Sequence, residues 1–375
     1  MTQPLIRKGA REALFSSRLI EWQKRHGRHD LPWQGTRDPY RIWLSEMMLQ
    51  QTQVATVIPY YERFVACFPN IAMLAAANED DLLTQWSGLG YYARARNLHR
   101  AARRIMAEFG GVFPSDFALI GSLPGIGRTT AAAISVFAFG DSRAILDGNV
   151  KRVLCRVFGI EGSPSERSVE DQLWRKAESL LPEHEVAAYT QALMDLGAMI
   201  CARSRPRCNP CPLNTICVAF NSDRTSELPS PKARSKLREK QTQWLVLLSR
   251  GQVLLEKRPS TGVWGSLWCF PELPMHADAQ SFCLRHYGET IASHENLPPF
   301  SHAFTHFKLL VAPSVLELKK RGVRAQEPGR MWLDIAGATR AAVPTPVRRI
   351  LQTLVERNQS QSKGSGLKAF LSPQS

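Results

Sequence analysis

The chain has 375 residues, of which 44% are hydrophobic and 22% are charged, a globular composition that excludes a disordered or collagen-like chain. Its 48 Lys and Arg residues exceed its 33 Asp and Glu residues, and the net charge of +15 favours a polyanionic partner, nucleic acid first and an anionic membrane surface second. No apolar stretch approaches the ~20 residues that span a bilayer, and residues 1–13 lack the pattern of a secretion signal and resemble a transit peptide only weakly.

Residues 12–221 carry apolar side chains at spacings of three and four, which is the period of an amphipathic helix. The pattern is clear in Ile42–Gln51, Leu98–Ile105 and Val150–Phe158. Breakers such as Pro69 and Gly110-Gly111 separate these segments. The sequence therefore predicts an all-α domain over residues 12–221.

The composition changes after this region. Residues 222–241 are polar and basic, which predicts an interdomain linker. A predicted β-hairpin (Trp244–Leu255), a strand-like run (Phe304–Leu318) and a helix opening at Thr345-Pro346 then indicate an α+β domain over residues 242–357. Residues 358–375 are rich in Gln, Ser, Gly and Lys and predict a disordered tail.

Four of the eight cysteines lie within seventeen residues, at Cys201, Cys208, Cys211 and Cys217. Soft thiolates in one loop select zinc or an iron–sulfur cluster, and the single Cys-x2-Cys pair favours a four-iron cluster while leaving zinc open. A metal cage implies a reducing compartment. The other four cysteines have apolar neighbours and are expected to be buried free thiols: Cys67, Cys155, Cys269 and Cys283.

A glycine-rich turn, Leu123–Thr130, lies between two apolar helices. Gly125 and Gly127 would allow a tight turn, and the helix that begins near Arg128 and Thr129 would present free N–H groups to an anion. A helix–hairpin–helix grips a DNA phosphate in this way without reading the base sequence. The alternative is an ordinary turn between helices.

Two carboxylates stand out. Glu46 lies in the apolar segment Trp43–Leu49, where desolvation would raise its pKa and let it hold a proton at neutral pH. Asp147 precedes a helix, where it would serve as an N-cap or as an anion favoured by Lys151 and Arg152. One protonated and one ionised carboxyl form the pair that cleavage of a glycosidic bond requires. For each residue alone, a structural role is the simpler interpretation.

Several motifs of this chain occur in the order seen in the MutY family of adenine DNA glycosylases, which the chain resembles over residues ~12–357. The motifs that carry this resemblance are Leu31–Gln34, Trp43–Gln53, Gly88–Arg96, the turn at Leu123–Thr130, Leu146–Val150 and the four cysteines. The resemblance implies a multidomain protein, with a helix–hairpin–helix glycosylase domain and a Nudix-like domain. It also implies excision of adenine opposite 8-oxoguanine or guanine in double-stranded DNA, and a [4Fe–4S] cluster without redox chemistry.

The resemblance also implies roles for single residues. Glu46 would protonate adenine N7, Asp147 would stabilise the sugar cation, and Asn149 would hydrogen-bond near the same centre. The adenine must leave the base stack to be reached. Gln51, Leu89 and Tyr91 would insert into the duplex. Leu31 and Trp33 would line the adenine pocket, and the alternative for these two residues is core packing.

Thr129 distinguishes two branches of this superfamily. Endonuclease III-type relatives carry a Schiff-base lysine at this position, and threonine cannot form an imine. A monofunctional glycosylase that leaves an abasic site is therefore expected over a glycosylase/lyase, although Lys151 lies near Asp147 in sequence and would allow slow lyase activity. A catalytically silent lesion-binding module, the third interpretation, leaves Glu46 and Asp147 without a role.

The second domain resembles the MutY C-terminal domain, which is similar in fold to Nudix hydrolases. The Nudix magnesium-binding glutamates are missing, so nucleotide hydrolysis is not expected. Phe304-Thr305-His306 matches the Phe-Ser-His loop that reads 8-oxoguanine, with Thr in place of Ser. The hydroxyl remains, while the added methyl group changes the local geometry.

The expected partner is mispaired double-stranded DNA, with no membrane and with the protein as a monomer. The expected location is the cytoplasm, on the nucleoid if the protein is bacterial. The apolar residues of the tail are candidates for docking a replication or repair partner: Leu367, Phe370 and Leu371.

Overall fold

The computed structural model describes residues 8–231, 237–275, 277–304, 306–319 and 328–369, with only the backbone at residues 8–11, 13 and 360–369. The chain forms two units. The first unit comprises Met1–Ala76 and Asn97–Arg234, and the second comprises Ala77–Arg96 and Ser235–Ser375. None of the helices in the described ranges is both long and apolar enough to cross a membrane.

Helices account for the regular structure of the described residues up to position 231. They are α1 (Lys8–His26), α2 (Pro39–Leu49), α3 (Val54–Cys67), α4 (Ile71–Ala76), α5 (Glu79–Trp86), α6 (Ala93–Phe109), α7 (Phe117–Ser122), α8 (Arg128–Ile134), α9 (Gly148–Phe158), α10 (Arg167–Ser179), α11 (Val186–Asp195) and α12 (Val218–Asn221). Two π-helical turns extend α8 and α11, at Ser135–Phe139 and Leu196–Ile200. The helical prediction for this region is confirmed.

Side chains that accept backbone N–H bonds set the starts of several helices. Asp38 accepts from the N–H of Tyr40 at the start of α2, and Asp116 accepts from Leu119 at the start of α7. Such caps satisfy N–H groups that have no partner inside the helix. The core of the first unit is formed by the apolar faces of α1, α9, α10 and α11.

An eight-stranded sheet forms the second unit, in the order β3-β2-β1-β7-β5 with β4, β6 and β8 paired to its members. The strands are β1 (Arg238–Ser249), β2 (Gln252–Lys257), β3 (Trp268–Cys269), β4 (Glu272–Leu273), β5 (Ile291–Asn296), β6 (Phe300–Ala303), β7 (Phe307–Leu318) and β8 (Arg330–Asp334). β1 and β7 run parallel over a long register, and the other pairs are antiparallel. The helices are α13 (Ala279–Tyr287), α14 (Ile335–Ala338) and α15 (Thr345–Ala369).

The α+β prediction for this unit is confirmed, including the hairpin in which Ser249 pairs with Gln252. Three boundaries differ from expectation. Residues 77–96 group with the second unit, β1 begins at Arg238 inside the expected linker, and α15 continues to Ala369 inside the expected tail. The first two differences arise from contacts between residues distant in sequence. The third follows from the absence of proline between Pro346 and Pro373.

The expected burial of the four cysteines outside the cluster is confirmed for three of them. Cys155, Cys269 and Cys283 are buried free thiols, whereas Cys67 is exposed, which contradicts the expectation for that residue. Cys67 is the last residue of α3, and it is the next residue, Phe68, that is buried.

Candidate active site

A cavity of about 580 Å³ in the first unit contains Glu46. Leu31 and Trp33, in the segment between α1 and α2, line the same cavity and are each 8% exposed. The Trp33 ring packs edge-on against the Tyr61 ring, with 5.3 Å between centroids. The two expected adenine-pocket residues are therefore core residues that also form a cavity wall, so the two interpretations of them are compatible.

Polar residues that the sequence reasoning missed line this cavity as well. Arg28 Nε donates to Asp195 Oδ1 at 2.7 Å, and Gln191 Nε2 donates to the same oxygen at 2.9 Å. The Asp195 side chain is fully buried, so it holds the guanidinium and the amide in place on the wall. The sequence does contain a signal for Asp195, since this acid lies within the apolar run Met194–Ile200. The same kind of signal identified Glu46.

Glu46 is half-buried and lines the cavity. Burial raises its pKa to about 8, and the negative charge of Asp147 adds to this effect. A carboxyl with this pKa still holds its proton at neutral pH, as predicted from the apolar segment.

Asp147 caps α9, where its Oδ1 accepts the N–H of Val150 at 2.7 Å. Burial raises the pKa of Asp147, while the N–H groups of Val150 and Asn149 and the charges of Arg152 and Lys151 lower it. The sequence argument counted only the second group of effects. The two groups of effects oppose each other at Asp147, whereas burial and the charge of Asp147 both favour the protonated form of Glu46.

Arg152 connects Asn149 to the cysteine loop. Its Nη2 donates to Asn149 Oδ1 at 2.8 Å and to the Gly197 carbonyl at 2.7 Å, and its Nε donates to the Cys201 carbonyl at 2.7 Å. Gly197 allows this packing, because a Cβ there would lie 2.5 Å from the Asn149 Cβ. The N-terminal turn of α9 is thus fixed against the loop that carries the cysteines.

The four clustered cysteines all line one cavity. Burial raises the pKa of Cys211 to about 12, and it also raises the pKa of Cys208 and Cys217, with the neighbouring thiols adding to the effect. Arg156 Nη1 lies 3.4 Å from Cys201 Sγ. Within the described ranges, no three Cys, His, Asp or Glu side chains are grouped as ligands of a single ion.

The hairpin at Leu123–Thr130 fulfils part of its prediction. Gly125 has φ +81°, and a Cβ there would lie 2.7 Å from the Asn97 Cβ, so this turn requires glycine. Gly127 has an ordinary φ of −91° and open space around it, so it is not required for the turn. The Arg128 guanidinium stacks 3.8 Å from the Trp174 ring centre and pairs with Glu178 at 2.5 Å, and Thr129 is half-buried.

The three expected inserted residues differ in exposure. Gln51 and Tyr91 are both exposed and both have left-handed backbones, with φ of +57° and +48°. Such conformations cost free energy in non-glycine residues and often occur at functional sites. Leu89 is only 6% exposed, so it packs inside the second unit.

The predicted 8-oxoguanine-reading residues lie at the turn between β6 and β7. The Phe304 N–H donates to the Phe307 carbonyl at 2.8 Å, and the two rings stack with centroids 4.6 Å apart. His306 is exposed, and Thr305 lies outside the described residues. The turn is therefore pinned on both sides of Thr305.

Comparisons with known proteins agree with this arrangement. Residues 44–179 match the helix–hairpin–helix (HhH-GPD) superfamily of base excision DNA repair proteins, and residues 243–353 match a NUDIX domain. The chain is 37% identical over 346 residues to the adenine DNA glycosylase of Buchnera aphidicola subsp. Baizongia pistaciae, covering 92% of this chain and 98% of that protein.

Identity to the human adenine DNA glycosylase is 32%, covering 98% of this chain and 79% of that protein. The solved structure of a thermostable thymine-DNA glycosylase is 30% identical with a TM-score of 0.52, covering 57% of this chain and 98% of that one.

A cavity with a protonatable acid, inside a helical unit that matches base excision repair proteins, defines a DNA N-glycosylase. Within this class the family is defined more closely, because family models match both parts of the chain and the Buchnera protein aligns with 92% of it. The chain belongs to the adenine DNA glycosylase family.

Proposed function

We propose that this glycosylase excises adenine opposite 8-oxoguanine or guanine and leaves an abasic site without cutting the strand. The observation that carries the proposal is a cavity-lining carboxyl, Glu46, whose pKa of about 8 is raised by burial and by the charge of a second acid, Asp147, at the N-terminus of α9. Neutral adenine leaves poorly, so a proton donor is the main requirement for its release. Because the substrate is DNA, we place the protein on the chromosome, which is the nucleoid if it is bacterial.

In the proposed reaction, the everted adenine enters the cavity and the Glu46 carboxyl gives its proton to N7. The N9–C1′ bond then breaks, and its electron pair goes to the adenine. The Asp147 carboxylate stabilises the positive charge at C1′, to which water adds. Arg152 keeps Asn149 in position beside this centre, while Arg28 and Gln191 supply donors to the base from the cavity wall.

Gln51 and Tyr91 are proposed to insert beside the oxidised base, and the open side of Gly127, with Arg128 and Thr129, is proposed to face a phosphate. For the phosphate contact, Arg128 has to exchange its Glu178 partner. Because Leu89 is buried, its role is to support the loop from within.

The four thiols fit the proposed [4Fe–4S] cluster, since they are soft ligands that all line one cavity. When bound, the cluster supplies structural cross-linking of the loop and no redox step. Cys201, Cys208, Cys211 and Cys217 would hold it. Because burial raises the pKa of Cys208, Cys211 and Cys217, iron has to displace the protons of these three thiols on binding.

Iron analysis tests the cluster. The purified protein is expected to contain about four iron atoms per chain and to absorb near ~400 nm. Cys211→Ser should lose this absorbance, whereas Cys155→Ser, which replaces a buried cysteine outside the loop, should keep it. Stoichiometric zinc in place of iron would contradict the proposal.

Substitution at Thr305 tests the mispair preference. We expect Thr305→Ala to release adenine opposite guanine at the wild-type rate and to lose about tenfold opposite 8-oxoguanine, because one hydrogen-bonding hydroxyl is removed. Single-turnover base release on duplexes with adenine opposite 8-oxoguanine, guanine or thymine measures both rates. Thr339→Ala, at the residue that follows α14, where the hydroxyl donates to the Ala336 carbonyl, is the matched control. An unchanged preference would separate recognition from Thr305.

Borohydride trapping tests the monofunctional mechanism. Lys151 Nζ lies 2.5 Å from Glu170 Oε1, so the lysine nearest to Asp147 in sequence is engaged in an ion pair. We expect abasic-site product with at most a trace of covalent protein–DNA adduct, and no trace after Lys151→Gln. Efficient trapping at the rate of base release would show a lyase instead.

A further inference from the structure

The wedge loop, defined as residues 87–92, is held rigid by its own contacts. Trp86 Nε1 and Arg94 Nη2 each donate to the Gly90 carbonyl at 3.1 Å. Arg94 Nη2 also lies 3.3 Å from the Leu89 carbonyl, and its guanidinium stands over the rings of Trp86 and Tyr91. These bonds hold Tyr91 in its left-handed, exposed conformation before any ligand binds.

The loop is also attached at its first residue to the C-terminal part of the second unit. Ser87, which is 5% exposed, donates from Oγ to the Val343 carbonyl at 2.9 Å and accepts from Arg348 Nη2 at 2.8 Å. The segment that includes Val343 is itself held to the sheet, because the Trp268 N–H donates to the Ala342 carbonyl at 2.9 Å.

A second attachment lies on the other side of the loop. Arg96 Nη1, in the first turn of α6, donates to the Gly265 carbonyl at 2.6 Å. Gly265 cannot move freely, because even a Cβ there would lie 2.6 Å from the Ser260 carbonyl oxygen. Its neighbours Trp264 and Ser266 both have left-handed backbones.

From Gly265 the contacts lead directly to Phe304, which with His306 forms the described part of the reading loop (residues 304–306). The Trp264 ring packs against the Phe304 ring, with 5.2 Å between centroids, and against the His302 ring at 5.4 Å. Arg96, Gly265, Trp264 and Phe304 thus form one chain of direct contacts between the two loops, inside a single unit.

We propose that Arg96 is a positioning residue that joins the wedge loop to the reading loop, and that Ser87 is a positioning residue that fixes the start of the wedge loop to the same unit, so that insertion of Tyr91 and recognition of the oxidised base occur together. This inference rests on the proposed function, since it assigns the preference for 8-oxoguanine partly to this connection. A rigid connection removes the ordering cost that each loop would otherwise incur separately on binding.

The experiment compares Arg96→Ala and Ser87→Ala with the wild-type protein. The first readout is the ratio of single-turnover adenine release opposite 8-oxoguanine to that opposite guanine. The second is the fluorescence of a 2-aminopurine placed beside the 8-oxoguanine, which reports insertion of the wedge. Arg340→Ala, at an exposed arginine of the same unit, controls for the lost charge, and Arg96→Lys tests rescue by a residue that keeps a donor.

Both alanine variants are expected to lower the ratio about three- to tenfold, with release opposite guanine within about twofold of wild type. Both should also weaken the fluorescence change, while Arg340→Ala matches the wild type and Arg96→Lys recovers part of the ratio. Equal losses on both substrates, or no change in either readout, would overturn the inference. If Arg96→Ala fails to fold, the two readouts of Ser87→Ala test the inference. If the wild-type protein itself shows no preference for 8-oxoguanine, the proposed function fails instead.

Discussion

Glu46→Gln is expected to bind mispaired DNA as the wild type does and to release adenine about 10²–10⁴ times more slowly, which is the usual contribution of a general acid. Glutamine keeps the shape of the side chain and can donate a hydrogen bond, but it cannot transfer a proton to the leaving base. Single-turnover base release together with a gel-shift affinity measurement separates the two effects. Glu62→Gln, at an exposed glutamate of α3, makes the same substitution outside the cavity and should leave the rate unchanged.

The pH profile gives a second check on Glu46. The carboxyl is active while protonated, so the wild-type rate should fall above pH about 8, whereas Glu46→Gln should lack this alkaline decline. Folding at neutral pH requires protonation of Glu46, because burial raises its pKa from 4.5 to about 8. The glutamine variant avoids this cost and should unfold at no lower temperature. A wild-type rate in the variant would exclude Glu46 as the acid.

Asp147→Asn is expected to retain the fold and lose about 10²–10³ in the rate of adenine release, the effect of removing one preorganised electrostatic group. Asparagine is as good an N-cap as aspartate, so its side-chain oxygen can still accept the Val150 N–H. The substitution thus removes the charge that stabilises the sugar cation and keeps the structural role. Base release and thermal unfolding are measured on the same preparation.

Two variants complete this test. Asp147→Ala loses the cap as well and should be less stable by about 1 kcal/mol. Asp116→Asn changes the N-cap of α7, which accepts from the Leu119 N–H at 2.9 Å, and should leave the rate of base release unchanged. If Asp147→Asn released adenine at the wild-type rate, the role of Asp147 would be capping alone.

Much of the fold follows from local patterns in the sequence. The helical period places the helices of residues 12–221, and the Ser249–Gln252 turn and Thr345-Pro346 mark the hairpin and the start of α15. The positive φ of Gly125 and the cap at Asp147 also follow, since both depend on a few adjacent residues. Local patterns could not separate Gly125 from Gly127, because only packing against Asn97 shows which of the two glycines is required.

The sequence by itself determined the chemical groups of this protein: two acids in contrasting local settings, four clustered thiols and a glycine turn between helices. The tertiary structure alone decided how burial acts on them. It raised the pKa of Asp147 where its neighbours in sequence suggested the opposite, and it placed Arg28 and Asp195, 167 residues apart, against each other. It also joined Ser87 to Val343 across 256 residues. Helix period and turn type depend on neighbours along the chain, whereas desolvation and long-range hydrogen bonds depend on groups that only folding brings together.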